Sequence, residues 1–214
     1  MTQAVIFDLD GTLLNTLGDL TAAVNHALTA HGLPTRTESE IRSFIGDGVK
    51  QLITRSCPPD TDEATLAAVL AENKAYYAAH NKELTAPYTD VVDLLESLRW
   101  LGIRTAVVSN KQDPSVQSLC AHYFDGLLDA AVGGSDARPL KPAPDSLLYV
   151  MEQLDVTADE VWYVGDSVQD IATARAAGVR CVAVTWGFQD ADRLAAAQPT
   201  VLADDVPMVL KAVI

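Results

Sequence analysis

Ala4-Val5-Ile6-Phe7 is a short branched and aromatic run that empties at once into Asp8-Leu9-Asp10-Gly11-Thr12. An apolar run without alternation suits a parallel strand buried on both faces, and the abrupt change to carboxylates and glycine marks the loop beyond its C-terminal end. The same arrangement recurs at residues 104–108, 130–132, 161–164 and 181–184, and Val201-Leu202 adds a further short strand. Helical spacing fills the intervals. Val91, Leu94, Leu95, Leu98 and Leu101 fall on one helix face, with Gly102 as the stop signal. Residues 146–154 and 171–177 are patterned alike, the second run ended by Gly178. Strands alternating with helices predict an α/β fold, a Rossmann-like parallel sheet with helices on both faces.

One stretch breaks the alternation. Residues 20–30, 38–44, 49–55 and 63–80 read as helices with no strand between them, separated by Gly32-Leu33-Pro34, Gly46-Asp47-Gly48 and Pro58-Pro59. We expect an all-α cap over residues 15–86 inserted into a catalytic core of residues 1–14 and 87–214, hinged near 14–16 and 86–88.

Polar groups gather beyond the C-terminal strand ends, the edge at which open parallel sheets bind ligands. Asp8, Asp10, Gly11 and Thr12 follow the first strand, and Ser109, Asn110 and Lys111 the second. Lys141 follows the third, and Gly165-Asp166-Ser167 with Asp170 the fourth. Each has a bland alternative. Asp-x-Asp could be a turn, Asp166 a helix cap sharing a face with Asp170, Ser109 a cap for the next helix, and Lys141 an exposed loop cation. Together they suit phosphoryl chemistry. A carboxylate can serve as nucleophile, a second carboxyl as acid and base, a lysine and a hydroxyl as phosphoryl ligands, and carboxylates as a seat for Mg²⁺.

The net charge of −14 excludes nucleic acid and anionic membranes as main partners and leaves a small phosphate ester needing a metal or a local cation cluster. Cys57, Cys120 and Cys181 lack any Cys-x-x-Cys spacing and read as reduced thiols. With no signal-peptide pattern and no membrane-length apolar run, we expect a cytoplasmic protein, monomer or homodimer.

Asp8-Leu9-Asp10-Gly11-Thr12-Leu13, Ser109, Lys141-Pro142 and Gly165-Asp166-Ser167-x-x-Asp170 resemble the four ordered motifs of the haloacid dehalogenase superfamily. The helical insertion resembles its C1-type cap. The resemblance implies Asp8 as nucleophile, Asp10 as general acid and base, and Ser109 and Lys141 as phosphoryl ligands, with Gly11, Thr12 and Asn110 beside them. It implies Mg²⁺ on Asp8, the main-chain carbonyl of Asp10 and Asp166, with Asp170 orienting Lys141 or a metal-bound water. An acid at position 10 is what phosphatases and phosphomutases of this superfamily carry and its dehalogenases do not need. Asn15 departs from the pattern, since many members carry Asp there. Residues 41–52 and Ser109-Asn110-Lys111 are similar to those of phosphoglycolate phosphatases.

That similarity makes 2-phosphoglycolate the candidate substrate. The Gly46 turn could offer free N–H groups to an anion, and Arg42 or Lys50 could pair with a substrate carboxylate; both could equally be solvated surface cations. The alternatives are a sugar phosphomutase of the β-phosphoglucomutase type and a catalytically silent binding or regulatory protein on the same scaffold.

Overall fold

The computed structural model describes all 214 residues. The chain opens with β1 (Ala4–Phe7) and β2 (Leu14–Asn15), then runs through α1 (Leu17–Ala30), α2 (Glu38–Phe44), α3 (Gly48–Ser56) and α4 (Glu63–His80). It returns through β3 (Ala86–Pro87) to α5 (Val91–Trp100), β4 (Arg104–Gln112), α6 (Asp113–Tyr123), β5 (Ala130–Gly134) and α7 (Asp145–Gln153). The last part is β6 (Val161–Gly165), α8 (Val168–Ala176), β7 (Arg180–Val184), α9 (Ala191–Ala196), β8 (Val201–Ala203) and α10 (Val206–Val213).

Six strands form one sheet in the order β5-β4-β1-β6-β7-β8, every neighbouring pair parallel. β1 lies inside it, Phe7 opposite Val107 on one side and Val164 on the other. The period-two pleat sends its side chains to opposite faces. Val5 and Phe7 join Leu94, Leu95 and Leu98 of α5, Leu119 of α6 and Val209 of α10. Ala4 and Ile6 join Leu147 and Val150 of α7, Ile171 of α8 and Leu194 of α9. Both faces are therefore covered, which is why β1 carries no polar residue. The α/β reading holds, with α9 and α10 beyond the helices that the patterning marks.

α1 to α4 have an apolar cluster of their own, in which Val24 and Leu28, Ile41, Leu52 and Ile53, and Val69 meet. Thr37 and Glu40 form a capping box at the start of α2, and Asp62 caps α4. Where the chain leaves and re-enters the sheet layer, β2 and β3 pair antiparallel, Leu14 opposite Pro87. Asp19 fastens this junction: buried, it accepts hydrogen bonds from the N–H groups of Leu84 and Thr85 at 2.9 Å and from the Thr85 hydroxyl at 2.6 Å. No helix is long and apolar enough to cross a membrane.

Candidate active site

β4 runs on through Gln112, so Ser109, Asn110 and Lys111 belong to a strand whose pairing with β5 shifts register between Val108 and Gln112. That irregularity turns successive side chains towards the edge beyond β1 and rules out Ser109 as the cap of α6. Asp8 and Asp166 lie just past the ends of β1 and β6. The cap of α8 is Ser167, with Asp170 at the third helical position, so Asp166 neither caps that helix nor shares its face.

Lys141 is buried among carboxylates. Its Nζ is 2.8 Å from Asp8 Oδ1, and it donates to Asp170 Oδ1 at 2.6 Å and to the Tyr163 hydroxyl at 3.1 Å. The Asp8 contact is an ion pair not aligned as a hydrogen bond, which leaves Asp8 Oδ1 without a hydrogen-bond partner. Asp170 has no spare oxygen: Oδ1 serves Lys141 and Tyr163, and Oδ2 accepts from the Ser167 hydroxyl and N–H. Asp166 accepts from the Phe188 N–H at 2.7 Å.

Oxygens of Asp8, Asp166 and Asp170 lie within 4.8 Å of one another, three buried carboxylates against one ammonium. Burial lifts the Asp8 carboxyl from 3.8 to about 6, opposed by Lys141 and reinforced by Asp170. Burial, with Asp8 and Asp170 beside it, pushes Asp166 well above the usual carboxylate range. Burial alone would lower Lys141, but Asp170 and Asp8 outweigh it and hold the ammonium far above its ordinary value. A hard cation fits this cluster: it would relieve the uncompensated charge, and while Asp8 Oδ1 faces Lys141, its Oδ2 makes no hydrogen bond.

Close packing maintains the cluster. A Cβ on Gly11, which has φ +84°, or on Gly187 would run into the Asp166 carboxylate. One on Gly165 would collide with Asp170. Gly165→Ala is expected to lose about 1–3 kcal/mol of stability in chemical denaturation, as overpacking of a filled site does; an unchanged midpoint would contradict this packing.

Asp10 sits at the rim. Lys111 Nζ donates to its two carboxylate oxygens at 2.8 and 3.0 Å, and the Thr16 hydroxyl donates to Oδ1 at 2.7 Å. The cavity between sheet edge and α1–α4 has a volume of about 90 Å³. Asp8, Asp10, Ser109, Lys141 and Asp166 line it from the sheet, and Gly46, Gly48, Val49 and Leu52 from the helices.

Several expected ligands have other partners. The N–H groups of Gly11 and Thr12 donate to the carbonyls of Leu14 and Leu9, so neither is free for a phosphate, and neither residue lines the cavity. The Asn110 side chain is likewise committed. Its Oδ1 accepts from the Lys141 N–H at 2.7 Å, while Nδ2 donates to the carbonyls of Lys141 and Gly46. Asn110 thus positions Lys141 and ties it to the helical segment. Arg42 donates to the carbonyls of Phe188 and Gly187 at 2.8 and 3.1 Å, bridging α2 to the loop that holds Asp166. Lys50 is exposed and outside the cavity lining. Besides Ser109, Lys141 and the other polar groups of the sheet side, the cavity is lined by Lys111 and, from α4, by Asn73, Lys74 and Tyr77. Asn73 and Tyr77 are polar groups one helical turn apart, a spacing that could have flagged them.

A doubly covered parallel sheet with buried carboxylates and a lysine at its C-terminal edge, under an inserted helical segment, defines an α/β enzyme with a covered polar active site. The family model described as haloacid dehalogenase-like hydrolase matches residues 5–184, and the chain belongs to that family. It is similar to phosphoglycolate phosphatase 1 of Pseudomonas aeruginosa, 35% identical over 213 residues that span 96% of this chain and 78% of the relative. A candidate phosphoglycolate phosphatase from Lactobacillus delbrueckii subsp. bulgaricus superimposes with a TM-score of 0.94 at 34% identity, covering 100% of this chain and 99% of that one. CbbY from Rhodobacter sphaeroides, solved in complex with phosphate, superimposes at 0.78 with 25% identity, covering 96% and 95%.

Proposed function

We propose that this chain is a Mg²⁺-dependent phosphatase that hydrolyses a small phosphate monoester, with 2-phosphoglycolate the leading candidate, through an aspartyl-phosphate on Asp8. The observation that carries the reading is the buried group of Asp8, Lys141 and Asp166 facing one cavity with Asp10 at its rim. The phosphoglycolate phosphatases among its relatives point the same way. We assign residues 15–86 as the cap and 1–14 with 87–214 as the core.

Asp8 and Asp166, with the main-chain carbonyl of Asp10, would hold the metal, because Asp170 has no oxygen to spare. Bound there, Mg²⁺ supplies charge neutralisation and polarises a phosphoryl oxygen. The Asp8 carboxylate attacks phosphorus and the bond to the leaving oxygen breaks. Asp10, as the general acid, gives a proton to the departing alkoxide. Lys141 and the Ser109 hydroxyl stabilise charge on the phosphoryl oxygens. Water then attacks the phosphorus of the acyl phosphate, Asp10 takes its proton, and the bond to Asp8 breaks to restore the carboxylate.

A panel of two- and three-carbon phosphates, sugar phosphates, nucleotides and pyrophosphate tests this, scored for free phosphate. Release from the small esters is expected; isomerised sugar phosphate without free phosphate would replace this reading with the mutase one. Chelation should stop turnover and added Mg²⁺ should restore it, and full activity in excess chelator would remove the metal from the mechanism.

A further inference from the structure

The half of the cavity contributed by α1–α4 differs in chemistry from the half contributed by the sheet. The sheet brings Asp8, Asp10 and Asp166; the helices bring one cation, Lys74, and no acid. The remaining polar groups on that side are Asn73 and Tyr77, one turn apart on α4 and only 3% and 7% exposed. The Tyr77 hydroxyl makes no well-aligned hydrogen bond, its polar neighbour being the Lys111 ammonium, and neither the Asn73 amide nor the Lys74 ammonium is tied to another side chain of the cavity. A buried phenol without an aligned partner carries a desolvation penalty that an acceptor bound in the cavity would relieve. Burial raises the Tyr77 phenol to about 12 despite Lys111 beside it, so it is a donor at neutral pH. Lys111 marks the boundary between the halves, its Nζ 4.6 Å from the centre of the Tyr77 ring and bonded to Asp10.

We propose that Asn73, Lys74 and Tyr77 form the leaving-group subsite, and that the group they recognise is a carboxylate on a two- or three-carbon chain. The proposal rests on the phosphatase reading and adds to it which residues read the substrate. The groups aimed at the leaving group are a cation, a phenol and an amide, all able to donate, and none on the helical side is an acid. An ammonium-bearing leaving group would find no counter-ion there. A hydrocarbon one would leave the phenol unpaired, a loss that a polar site turns into discrimination. Arg42 and Lys50 are not needed for this recognition.

The test uses three esters that differ in the group at the end of the chain: 2-phosphoglycolate, ethyl phosphate and O-phosphoethanolamine. Wild type should show the highest kcat/KM on 2-phosphoglycolate. Tyr77→Phe and Lys74→Met should each lower the preference for 2-phosphoglycolate over ethyl phosphate by about tenfold or more, the usual effect of losing a hydrogen bond to a charged group. Lys74→Glu, at an exposed position that tolerates either charge, should move preference towards O-phosphoethanolamine. Equal losses on all three esters would mean a structural role and overturn the subsite, as would unchanged ratios. Phosphate release from all three alike by wild type would leave the phosphatase reading standing and sink the subsite alone. Release from no ester would sink both.

Discussion

Asp8→Asn is expected to lower phosphate release by at least about a thousandfold and, in the metal-free protein at pH 8, to raise stability. The two effects share a cause. Asp8 titrates near 6 in the fold against 3.8 ordinarily, so its contribution to stability is present below about pH 3.8 and lost as pH rises through 6. Above that point the metal-free protein keeps a buried carboxylate that the unfolded chain would hydrate freely. Asparagine removes the charge and keeps the shape. At about 1.4 kcal/mol for each tenfold difference in proton affinity between folded and unfolded chain, the gain is on the order of 2–3 kcal/mol at pH 8 and vanishes near pH 4. Denaturation curves at the two pH values, with steady-state assays on the same preparations, check both halves. Near-normal turnover would remove Asp8 as nucleophile, and equal stability at both pH values would remove the electrostatic account.

Lys141→Met is expected to do the opposite to stability while also abolishing activity. Lys141 is the one buried cation among Asp8, Asp166 and Asp170, touching two of them within 2.8 Å. Removing one partner from a buried charge cluster costs about 3–5 kcal/mol, because the charges left behind have nothing to pair with. Turnover should fall at least about a hundredfold through loss of charge stabilisation at the phosphoryl group. Adding Asp170→Asn should recover part of the stability and none of the turnover. A single variant as stable as wild type would show that the carboxylates are not held ionised around that ammonium.

The parallel sheet and the helical insertion were legible because burial on two faces forces continuous apolar runs, and burial on one face forces helical spacing. α9 was not, since six residues present too few turns for a period to stand out, and α10 went unread although Val209 and Val213 lie buried one turn apart. In the site, Asp8, Asp166 and Lys141 declared themselves by residue type at successive strand ends. Asp19 did not, and Asn110 stood out by position but not by its bracing role: their partners lie far along the chain and leave no trace in local spacing. Arg42 carried a visible charge, but its partners are carbonyls 145 and 146 residues away. Tyr77 and Asn73 were hidden by their helix, where polar residues ordinarily face water.

Phe188 is gripped on both sides. Its carbonyl accepts from Arg42 of α2, and its N–H donates to Asp166. On the far rim, one amide of Asn110 holds Gly46 and Lys141 together. The helical segment therefore cannot lift from the sheet without slackening residues beside an anion on one side of the cavity and a cation on the other. These contacts couple separation of the helical segment from the sheet to loosening of the charged walls, so the closed chamber is the one in which the charges are held to position.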